Sequence, residues 1–261
     1  MAFTQLYAVC FSPTGSSRKA AKKIASAMKG HHPILIDFTL PQNRNTSHTF
    51  LQTDLVILSL PVYGGRIPEI VQDALEKLTG KNTPVILSAV YGNRHYDDAL
   101  LEMADIMTKQ GFRPIAAGAF SVQHCKTPFV GTNRPNEKDE QDMVQLGKMA
   151  LELLEKGVVA GALNLPGNRP YKERKPKNNA VPIVGEGCTR CGACIRTCPV
   201  GAINENNPHI TDGEKCIQCN ACEKICPVGT RRFTDEHTKK IVQMLEEKCK
   251  ENRSNELFVL K

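Results

Sequence analysis

The sequence predicts an α/β protein with a doubly wound parallel sheet of five strands, followed by a small α+β domain. Two observations predict the sheet: the first 157 residues alternate apolar runs with amphipathic helices, and four of those helices end at a glycine. A third observation marks the second domain, because eight of the eleven cysteines lie between Cys188 and Cys226. A chain of 261 residues is long enough to bury two modest cores.

The elements of the first domain follow from the spacing of its apolar residues. The predicted strands cover residues 6–10, 34–36, 55–59, 84–90 and 114–120. The predicted helices carry apolar faces at 20–28, 70–78, 100–107 and 143–154, and they end at Gly30, Gly80, Gly111 and Gly157. The second of these helices is predicted to open at Pro68, since proline suits a first helical turn. Strands that alternate with helices in this way form a parallel sheet covered on both faces.

The composition divides the chain into four parts. These are a first domain (1–157), a proline-rich linker (158–182), a cysteine-rich domain (183–233), and a helix with an apolar tail (234–261). Repeated proline predicts a semi-rigid linker. The basic run at 169–177 is interpreted as a solvated tether in preference to a docking patch. The tail at 257–260 is apolar enough to dock on a domain or on a partner.

The cysteines of the second domain follow a C-x2-C-x2-C-x3-C-P pattern that occurs twice. The first run holds Cys188, Cys191, Cys194 and Cys198, and the second holds Cys216, Cys219, Cys222 and Cys226. Three closely spaced thiolates can hold three corners of one [4Fe–4S] cube, while the fourth points to another cube. Zinc sites also use C-x2-C pairs, but neither zinc nor a disulfide framework explains triple runs with a trailing proline.

Over residues 183–233 the chain resembles the bacterial ferredoxins that carry two [4Fe–4S] clusters. The resemblance implies that the two runs exchange their fourth ligands. The first ligand set is then Cys188, Cys191, Cys194 and Cys226, and the second set is Cys216, Cys219, Cys222 and Cys198. Small residues after each run are expected to let backbone N–H groups approach the cluster sulfurs.

The loop after the first predicted strand is a candidate anion site. It reads Ser-Pro-Thr-Gly-Ser-Ser and leads directly into a helix, whose N-terminus offers free N–H groups. The chain has no Walker lysine motif and no G-x-G-x-x-G motif, which disfavours nucleoside triphosphates and a Rossmann dinucleotide site. The alternative is a simple N-cap. The candidate phosphate-binding residues are Ser12, Thr14, Gly15, Ser16 and Ser17.

Two further loops follow predicted strands, at the sheet edge where open α/β sheets bind ligands. Each loop places a tyrosine beside glycine, so that a ring can stack on a flat ligand while the backbone approaches its edge. The alternative is that both tyrosines only pack a surface corner. The candidate residues are Pro61, Val62, Tyr63, Gly64 and Gly65 in the first loop, and Tyr91, Gly92, Asn93 and Arg94 in the second.

With these loops the first domain resembles the flavodoxins, whose phosphate loop has the pattern hydroxyl-x-Thr-Gly-x-hydroxyl. The resemblance implies a flavodoxin-like fold with strand order 2-1-3-4-5 and FMN bound by the loops. Over nearly its full length the chain resembles the flavodoxin–ferredoxin fusion proteins of anaerobic microbes. It has no tryptophan and is not acidic, so the resemblance specifies neither the flavin-stacking residue nor the redox partner.

Three cysteines and one more loop lie outside these motifs. Gln123 or His124, after the fifth strand, is a candidate to hydrogen-bond a flavin, although a lone loop histidine is otherwise solvated. Cys125 is interpreted as a spectator thiol. Cys10 is predicted to lie in the core, and Cys249 to pack on the final helix.

The formal charge of +7 does not indicate a nucleic-acid partner. Two clusters with their thiolates carry roughly −4 together and a flavin phosphate adds about −2, which brings the loaded protein near neutrality. The chain has no apolar run long enough for a membrane span and no recognisable secretion signal, and cluster thiolates need a reducing compartment. We therefore expect a cytoplasmic protein. A homodimer is left open.

The sequence favours an iron–sulfur flavoprotein that passes electrons between FMN and two [4Fe–4S] clusters, with protein donors and acceptors that it does not identify. Two alternatives remain. One is a flavin-dependent reductase fed by ferredoxin or NAD(P)H, and the other is a redox sensor. No acid–base pair or nucleophile constellation is recognised, so no catalytic residue is assigned.

Overall fold

The computed structural model describes residues 3–157, 161 and 163–260. The elements of the first domain are β1 (Gln5–Cys10), α1 (Ser16–Ala25), β2 (Ile34–Asp37), a 3-10 turn (Pro41–Arg44), β3 (His48–Phe50), β4 (Asp54–Pro61), a 3-10 turn (Glu69–Val71), α2 (Gln72–Glu76), β5 (Leu78–Gly80), β6 (Thr83–Tyr91), α3 (Ala99–Lys109), β7 (Phe112–Ser121) and α4 (Glu137–Glu155). The later elements are β8 (Ile183–Val184), α5 (Ala193–Thr197), α6 (Ala221–Lys224), β9 (Arg231–Arg232), α7 (Glu236–Lys248) and β10 (Glu256–Val259).

The central sheet has the order β10-β7-β6-β4-β1-β2. Its five parallel strands are therefore arranged 2-1-3-4-5 when they are counted along the chain, which confirms the predicted flavodoxin-like fold. A sixth strand, β10, pairs antiparallel with β7. The apolar tail thus docks on the first domain of its own chain.

Helices cover both faces of the sheet and explain why its central strands are mostly apolar and buried. Every residue of β6 is buried, as expected for a parallel strand between two helical layers. One apolar layer is formed with α2 and α3, and the other with α1 and α4. In the second layer α4 approaches α1 closely at Gly147, where a Cβ would lie only 2.5 Å from the Ile24 carbonyl oxygen.

The helix predicted from Pro68 to Gly80 is wrong in its last turn, where Leu78–Gly80 form a strand. A 3-10 turn leads into the short α2, and β5 then pairs in parallel with β3. The spacing of the apolar residues suits a longer helix, but pairing with β3, distant in sequence, overrides it. Gly80 also approaches Gly111 so closely that a Cβ would lie 2.8 Å from the Gly111 carbonyl oxygen.

The basic run of the linker is bonded to the first domain, so its interpretation as a solvated tether is wrong. Arg169 pairs with Asp105 at 2.6 Å, and Lys172 pairs with Asp97 at 2.6 Å. Exposed pairs of this kind contribute about 0–1 kcal/mol each. They direct the path of the linker more than they stabilise the fold.

The strongest anchor of the linker is Glu102 of α3, which is buried. Arg66 of the first domain donates to both oxygens of this carboxylate, at 2.8 Å from Nε and 2.7 Å from Nη2. Arg174 of the linker donates to it at 3.2 Å and to the Ile67 carbonyl at 2.8 Å. Because the carboxylate is shielded from water, this shared contact is stronger than the exposed pairs.

The cysteine-rich domain lies between the linker and the returning C-terminal segment. Each of its short helices, α5 and α6, lies within one cysteine run, and the short strands β8 and β9 pair antiparallel at its border. The predicted final helix is confirmed as α7. None of the helices in the described ranges is long and apolar enough to cross a membrane.

The C-terminal segment is fastened to the sheet by Asn255, just before β10. Its side-chain oxygen accepts from the Ser121 backbone at 3.0 Å and from Arg134 at 3.1 Å. Its amide nitrogen donates to Asp139 and Asp142, each at 2.9 Å. One side chain therefore links β10 to the end of β7 and to the start of α4.

Replacing Asn255 with alanine is expected to lower the free energy of unfolding by about 2 kcal/mol, because it leaves partly buried polar groups without partners. For a chain of this size the expected fall in Tm is about 4–8 °C. Calorimetry of protein purified without air measures this change. Asn252→Ala is the matched control, since Asn252 is exposed. Equal losses in the two variants would contradict the anchoring role.

Candidate functional site

The eight cysteines of the two runs surround two cavities in the second domain. Cys188, Cys191, Cys194 and Cys226 line one cavity, and Cys198, Cys216, Cys219 and Cys222 line the other. We call these the first and second cysteine sets. The fourth cysteine of each set comes from the other run. The structure therefore groups the eight thiols into the same two sets as the ligand prediction. That they bind iron stays a prediction.

The donor groups around the cavities suit an iron–sulfur cluster. The Ala202 N–H donates to the Cys198 sulfur at 3.3 Å, which is the kind of backbone contact expected from the small residues after each run. Backbone hydrogen bonding by Ala193 lowers the pKa of the Cys191 thiol. Within the described ranges, no three His, Cys, Asp or Glu side chains converge closely enough to hold a single metal ion.

The two sets differ in their exposure to solvent. In the second set Cys216 and Cys219 are buried, and burial raises the pKa of the Cys219 thiol to about 12. In the first set Cys191 is exposed. The other cysteines of both sets are half-buried, so the first set is the more exposed of the two.

The phosphate-loop candidates lie at the start of α1, as the sequence predicts. Ser12 shapes the loop, because its hydroxyl accepts from the Arg18 backbone at 3.0 Å and its carbonyl accepts from the Gly15 N–H at 3.0 Å. Gly15 has φ 88°, a left-handed conformation that favours glycine. The Ser17 hydroxyl is buried and has no partner among the described residues.

A cavity of about 610 Å³ opens at this loop. Its first wall is formed by Ser12, Pro13, Thr14 and Gly15, and its opposite wall by Ala193, Arg196, Thr197, Ala221, Lys224 and Ile225 of the second domain. Basic side chains thus face the phosphate loop from the second domain. Arg18 also lines the cavity and pairs with Asp37 there. Hydroxyls, helix N–H groups and cations together suit a phosphate ester.

The loop after β4 is a tight turn that presents Tyr63. Its N–H donates to the Arg66 carbonyl at 2.8 Å, and both Gly64 and Gly65 have positive φ, at 62° and 94°. A Cβ on Gly65 would lie 2.1 Å from the Asp97 carboxylate. Both glycines are therefore required by the turn, and the two other loop candidates, Pro61 and Val62, lead into it.

Tyr91 and Asn93, in the loop after β6, are both buried and bonded within the protein. The Tyr91 ring is 2% exposed and packs on Tyr96 at 5.6 Å between ring centroids, so its position matches the alternative of a packing role. The Asn93 amide donates to the carbonyls of Cys249 and Glu251, at 3.1 Å and 2.9 Å. Asn93 therefore has a role in anchoring the C-terminal segment that its sequence context does not reveal.

Gly92 and Arg94 occupy the surface of the same loop. A Cβ on Gly92 would lie 2.5 Å from the His124 ring, so the histidine packs directly on the glycine backbone. Burial lowers the pKa of His124 to about 4, and the charges of Lys126 and Lys224 add to this effect. His124 is thus neutral at pH 7. Its packing differs from the solvated position that a lone loop histidine usually has.

The structure also places the three cysteines outside the two runs and the remaining loop candidate, Gln123. Cys10 is fully buried in β1, as predicted for a core residue. Burial raises the pKa of the Cys125 thiol, with the charges of Lys126 and Lys224 acting against the rise. Cys249 follows α7, and its carbonyl accepts from the Asn93 amide. Gln123 donates to the Pro128 carbonyl at 3.1 Å.

The second cysteine set lies against the tyrosine loop of the first domain. Burial raises the pKa of the Tyr63 hydroxyl well above its ordinary value, and the neighbouring Cys219 and Cys125 thiols add to the rise. Ile217, between two cysteines of this set, packs on the apolar layer of the first domain. Arg44 donates to the Pro199 carbonyl at 2.6 Å. The sequence contains no signal for these interdomain contacts, because they join segments far apart in the chain.

A second cavity, of about 610 Å³, lies beside Tyr63. Its apolar wall comes from Ile70, Ile217, Ile241 and Met244. Its charged rim is mostly basic, with Arg66, Arg94, Lys172, Arg174, Lys175 and Lys177 beside the acidic Glu69 and Glu173. The volume is within the range of small-molecule sites. The cavity combines residues of the first domain, the linker, the second domain and α7.

A family model described as the 4Fe–4S dicluster domain matches residues 187–231. A sequence comparison with curated proteins gives no match. Among solved structures, the chain is similar to a flavodoxin from the domain Archaea, with 14% identity, a TM-score of 0.38, and coverage of 58% of this chain and 99% of that one.

Two further solved structures are similar to this chain. Oxidised flavodoxin 1 from Bacillus cereus has 16% identity and a TM-score of 0.43, covering 57% of this chain and 98% of that one. The rubredoxin oxygen:oxidoreductase from the anaerobe Desulfovibrio gigas has 16% identity and a TM-score of 0.42, covering 61% of this chain and 38% of that one. The strand order 2-1-3-4-5 defines the fold of the first domain independently of these similarities. The chain thus joins a flavodoxin-like domain to a segment that matches the 4Fe–4S dicluster domain.

Proposed function

We propose that this protein is an electron-transfer flavoprotein, which passes electrons between FMN in the first domain and two [4Fe–4S] clusters in the second. The observation that carries the proposal is the cavity beside Tyr63, which the tyrosine loop of the first domain shares with Ile217 of the second domain. Ile217 lies between Cys216 and Cys219, so candidate cluster ligands lie close to a candidate flavin contact at the domain interface. When bound, the flavin exchanges one or two electrons and each cluster exchanges one, so the pair can split or collect electron pairs.

The phosphate of FMN is proposed to bind at the start of α1. Thr14 and Ser16 offer hydroxyls, and the unpartnered Ser17 hydroxyl is a third polar group at this helix start. Arg196 and Lys224 bring positive charge to the same cavity from the second domain. The flavin ring is proposed to lie toward Tyr63, whose ring is the more available of the two loop tyrosines because Tyr91 is packed in the core.

The burial of the cysteine sets supports an order of transfer. The second set is buried against the first domain, so its proposed cluster is the one that exchanges electrons with the flavin. The first set, with Cys191 exposed, is the one that a redox partner protein can approach. The exchange of fourth ligands keeps the two proposed clusters adjacent.

A second candidate function is a flavin-dependent reductase. The cavity beside Tyr63 favours it, because this cavity is large enough for a small molecule and combines an apolar wall with a basic rim. Such a site suits an anionic acceptor. Steady-state turnover with NADH, with reduced ferredoxin and with neither, each against a panel of small acceptors, separates a reductase from a carrier.

The proposal is tested by purifying the protein without air and recording its visible spectrum, with iron, sulfide and flavin analysis. The expected composition is one flavin and about eight iron and eight sulfide ions per chain. A colourless preparation without flavin, with zinc in the cysteine sites, would overturn the proposal.

Replacing Thr14 with phenylalanine is expected to reduce flavin occupancy at least tenfold, because the ring would fill the phosphate side of the cavity. Iron content should stay unchanged, since the cysteine sets lie in the other domain. Flavin fluorescence after denaturation and iron analysis measure both quantities. Thr46→Phe is the control, because Thr46 is exposed and does not line that cavity. Joint loss of flavin and iron would argue against separate sites.

Replacing Cys198 with alanine is expected to impair the cluster of the 216–222 run, whereas Cys226→Ala should impair the cluster of the 188–194 run. The reason is the exchange of fourth cysteines between the two cavities. EPR spectra of the reduced variants, with iron counts near half of the parent value, distinguish the two clusters. Damage by each substitution to the cluster of its own run would refute the ligand sets.

A further inference from the structure

We propose that Arg231 is a shared counter-charge for the two cysteine sets, and that its guanidinium raises the reduction potentials of both clusters. The inference rests on the proposed function, since it concerns the clusters that the two sets are proposed to hold. Arg231 lies outside the cysteine motif, and it belongs to the short strand β9 that follows the second run.

The Arg231 side chain is buried between the two cavities, with an exposure of 2%. Its Nη1 donates to the Pro208 carbonyl at 2.6 Å and lies 4.0 Å from the Cys194 sulfur of the first set. Its Nη2 donates to the Thr211 hydroxyl. These contacts hold the guanidinium in one orientation against a ligand of the first set.

The same guanidinium also lies near the second set. Thr211, which accepts from Nη2, lines the cavity of the second set together with Cys216 and Cys222. Pro208, which accepts from Nη1, lines the cavity of the first set. One cation is thus bonded to the lining of both cavities.

The charge of Arg231 has no acidic counterpart among its hydrogen-bond partners. Within the described part of the chain these are a backbone carbonyl, a threonine hydroxyl and a thiol, all uncharged. A guanidinium stays protonated in proteins, and burying it without an anion is costly. Two clusters, each held by four thiolates, supply the missing negative charge on both sides of the side chain.

The internal repeat indicates that the fold does not require a cation at this position. The first run continues from Cys198 through Pro-Val-Gly-Ala to Ile203, and the second continues from Cys226 through Pro-Val-Gly-Thr to Arg231. Ile203 and Arg231 are therefore equivalent, and both are buried, at 4% and 2% exposure. An apolar residue fills the position in one half, and an arginine fills it in the other.

A fixed cation beside both clusters has a defined effect on their electron affinity. Reduction adds one negative charge to a cluster, and a nearby positive charge in a poorly solvated site stabilises that added charge. The reduction potential is therefore higher with the cation than without it. Because the guanidinium is bonded to residues that line both cavities, both potentials should change in the same direction when it is removed.

The test uses the full chain with its clusters, and two variants of Arg231. Arg231→Ile reproduces the residue of the equivalent repeat position, and Arg231→Lys keeps the charge but not the planar donor geometry. Arg232→Gln is the matched control, because Arg232 is the exposed neighbour in the same strand. Iron content is measured first, and both cluster potentials are then determined by EPR during an anaerobic titration with dithionite.

We expect both potentials to become more negative in Arg231→Ile, to stay closer to the parent in Arg231→Lys, and to stay unchanged in Arg232→Gln. A shift of one potential only, or of neither in a variant with full iron content, would overturn the inference. If Arg231→Ile assembles no clusters but Arg231→Lys does, the result supports a counter-charge role for Arg231. If neither variant assembles clusters, the inference is overturned. A parent protein without clusters would instead refute the proposed function.

Discussion

The fixed docking of the second domain on the first is the constraint on which the rest of the structure depends. The chain leaves the first domain along a linker that is bonded to Glu102, and it returns as β10 on the edge strand β7. Both ends of the cysteine-rich domain are therefore attached to the first domain, one to helix α3 and the other to the sheet. A domain held at both ends keeps the second cysteine set against the tyrosine loop, which a flexible tether would not do.

This arrangement orients the two cysteine sets with respect to solvent. The set nearest the first domain includes the buried Cys216 and Cys219, and the set farther along the proposed path includes the exposed Cys191. Burial alone disfavours the added negative charge of a reduced cluster, because it removes the stabilisation that water provides. Arg231 is proposed to offset that effect for both sets. The proposed clusters would take the place of the acidic partners that an arginine usually has.

Strong local patterns in the sequence predict most of the fold and part of the candidate site. The strands were predictable because continuous apolar runs have few alternatives in a parallel sheet, and the grouping of the cysteines because their spacing is specific. The break in the predicted helix before Gly80, the docking of Arg174 and the pairing of β10 were not predictable in this way. Each depends on a partner distant in the chain, and the local sequence contains no information about that partner.

The candidate flavin loops also contain both residues whose roles the local sequence predicts and residues whose roles it does not. The phosphate loop is recognisable because its hydroxyls and its glycine lie directly at a helix start. In the loop after β6, by contrast, a tyrosine and an asparagine of the expected types are used for packing and for hydrogen bonds to the C-terminal segment. Residue type and position at a strand end cannot distinguish a ligand-binding residue from a packing residue, because residues of either role lie at the same edge of the sheet.

The pairing of β10 with β7 also has a consequence for how the protein matures. Without β10, β7 would be an unprotected edge strand, open to pairing with other chains. Since β10 follows both cysteine runs in the chain, that edge is covered only after the cysteine-rich segment has been synthesised. Because that segment is proposed to fold around iron–sulfur clusters, a molecule starved of iron is expected to keep the edge exposed for longer, which would couple metal supply to resistance to aggregation through a single strand.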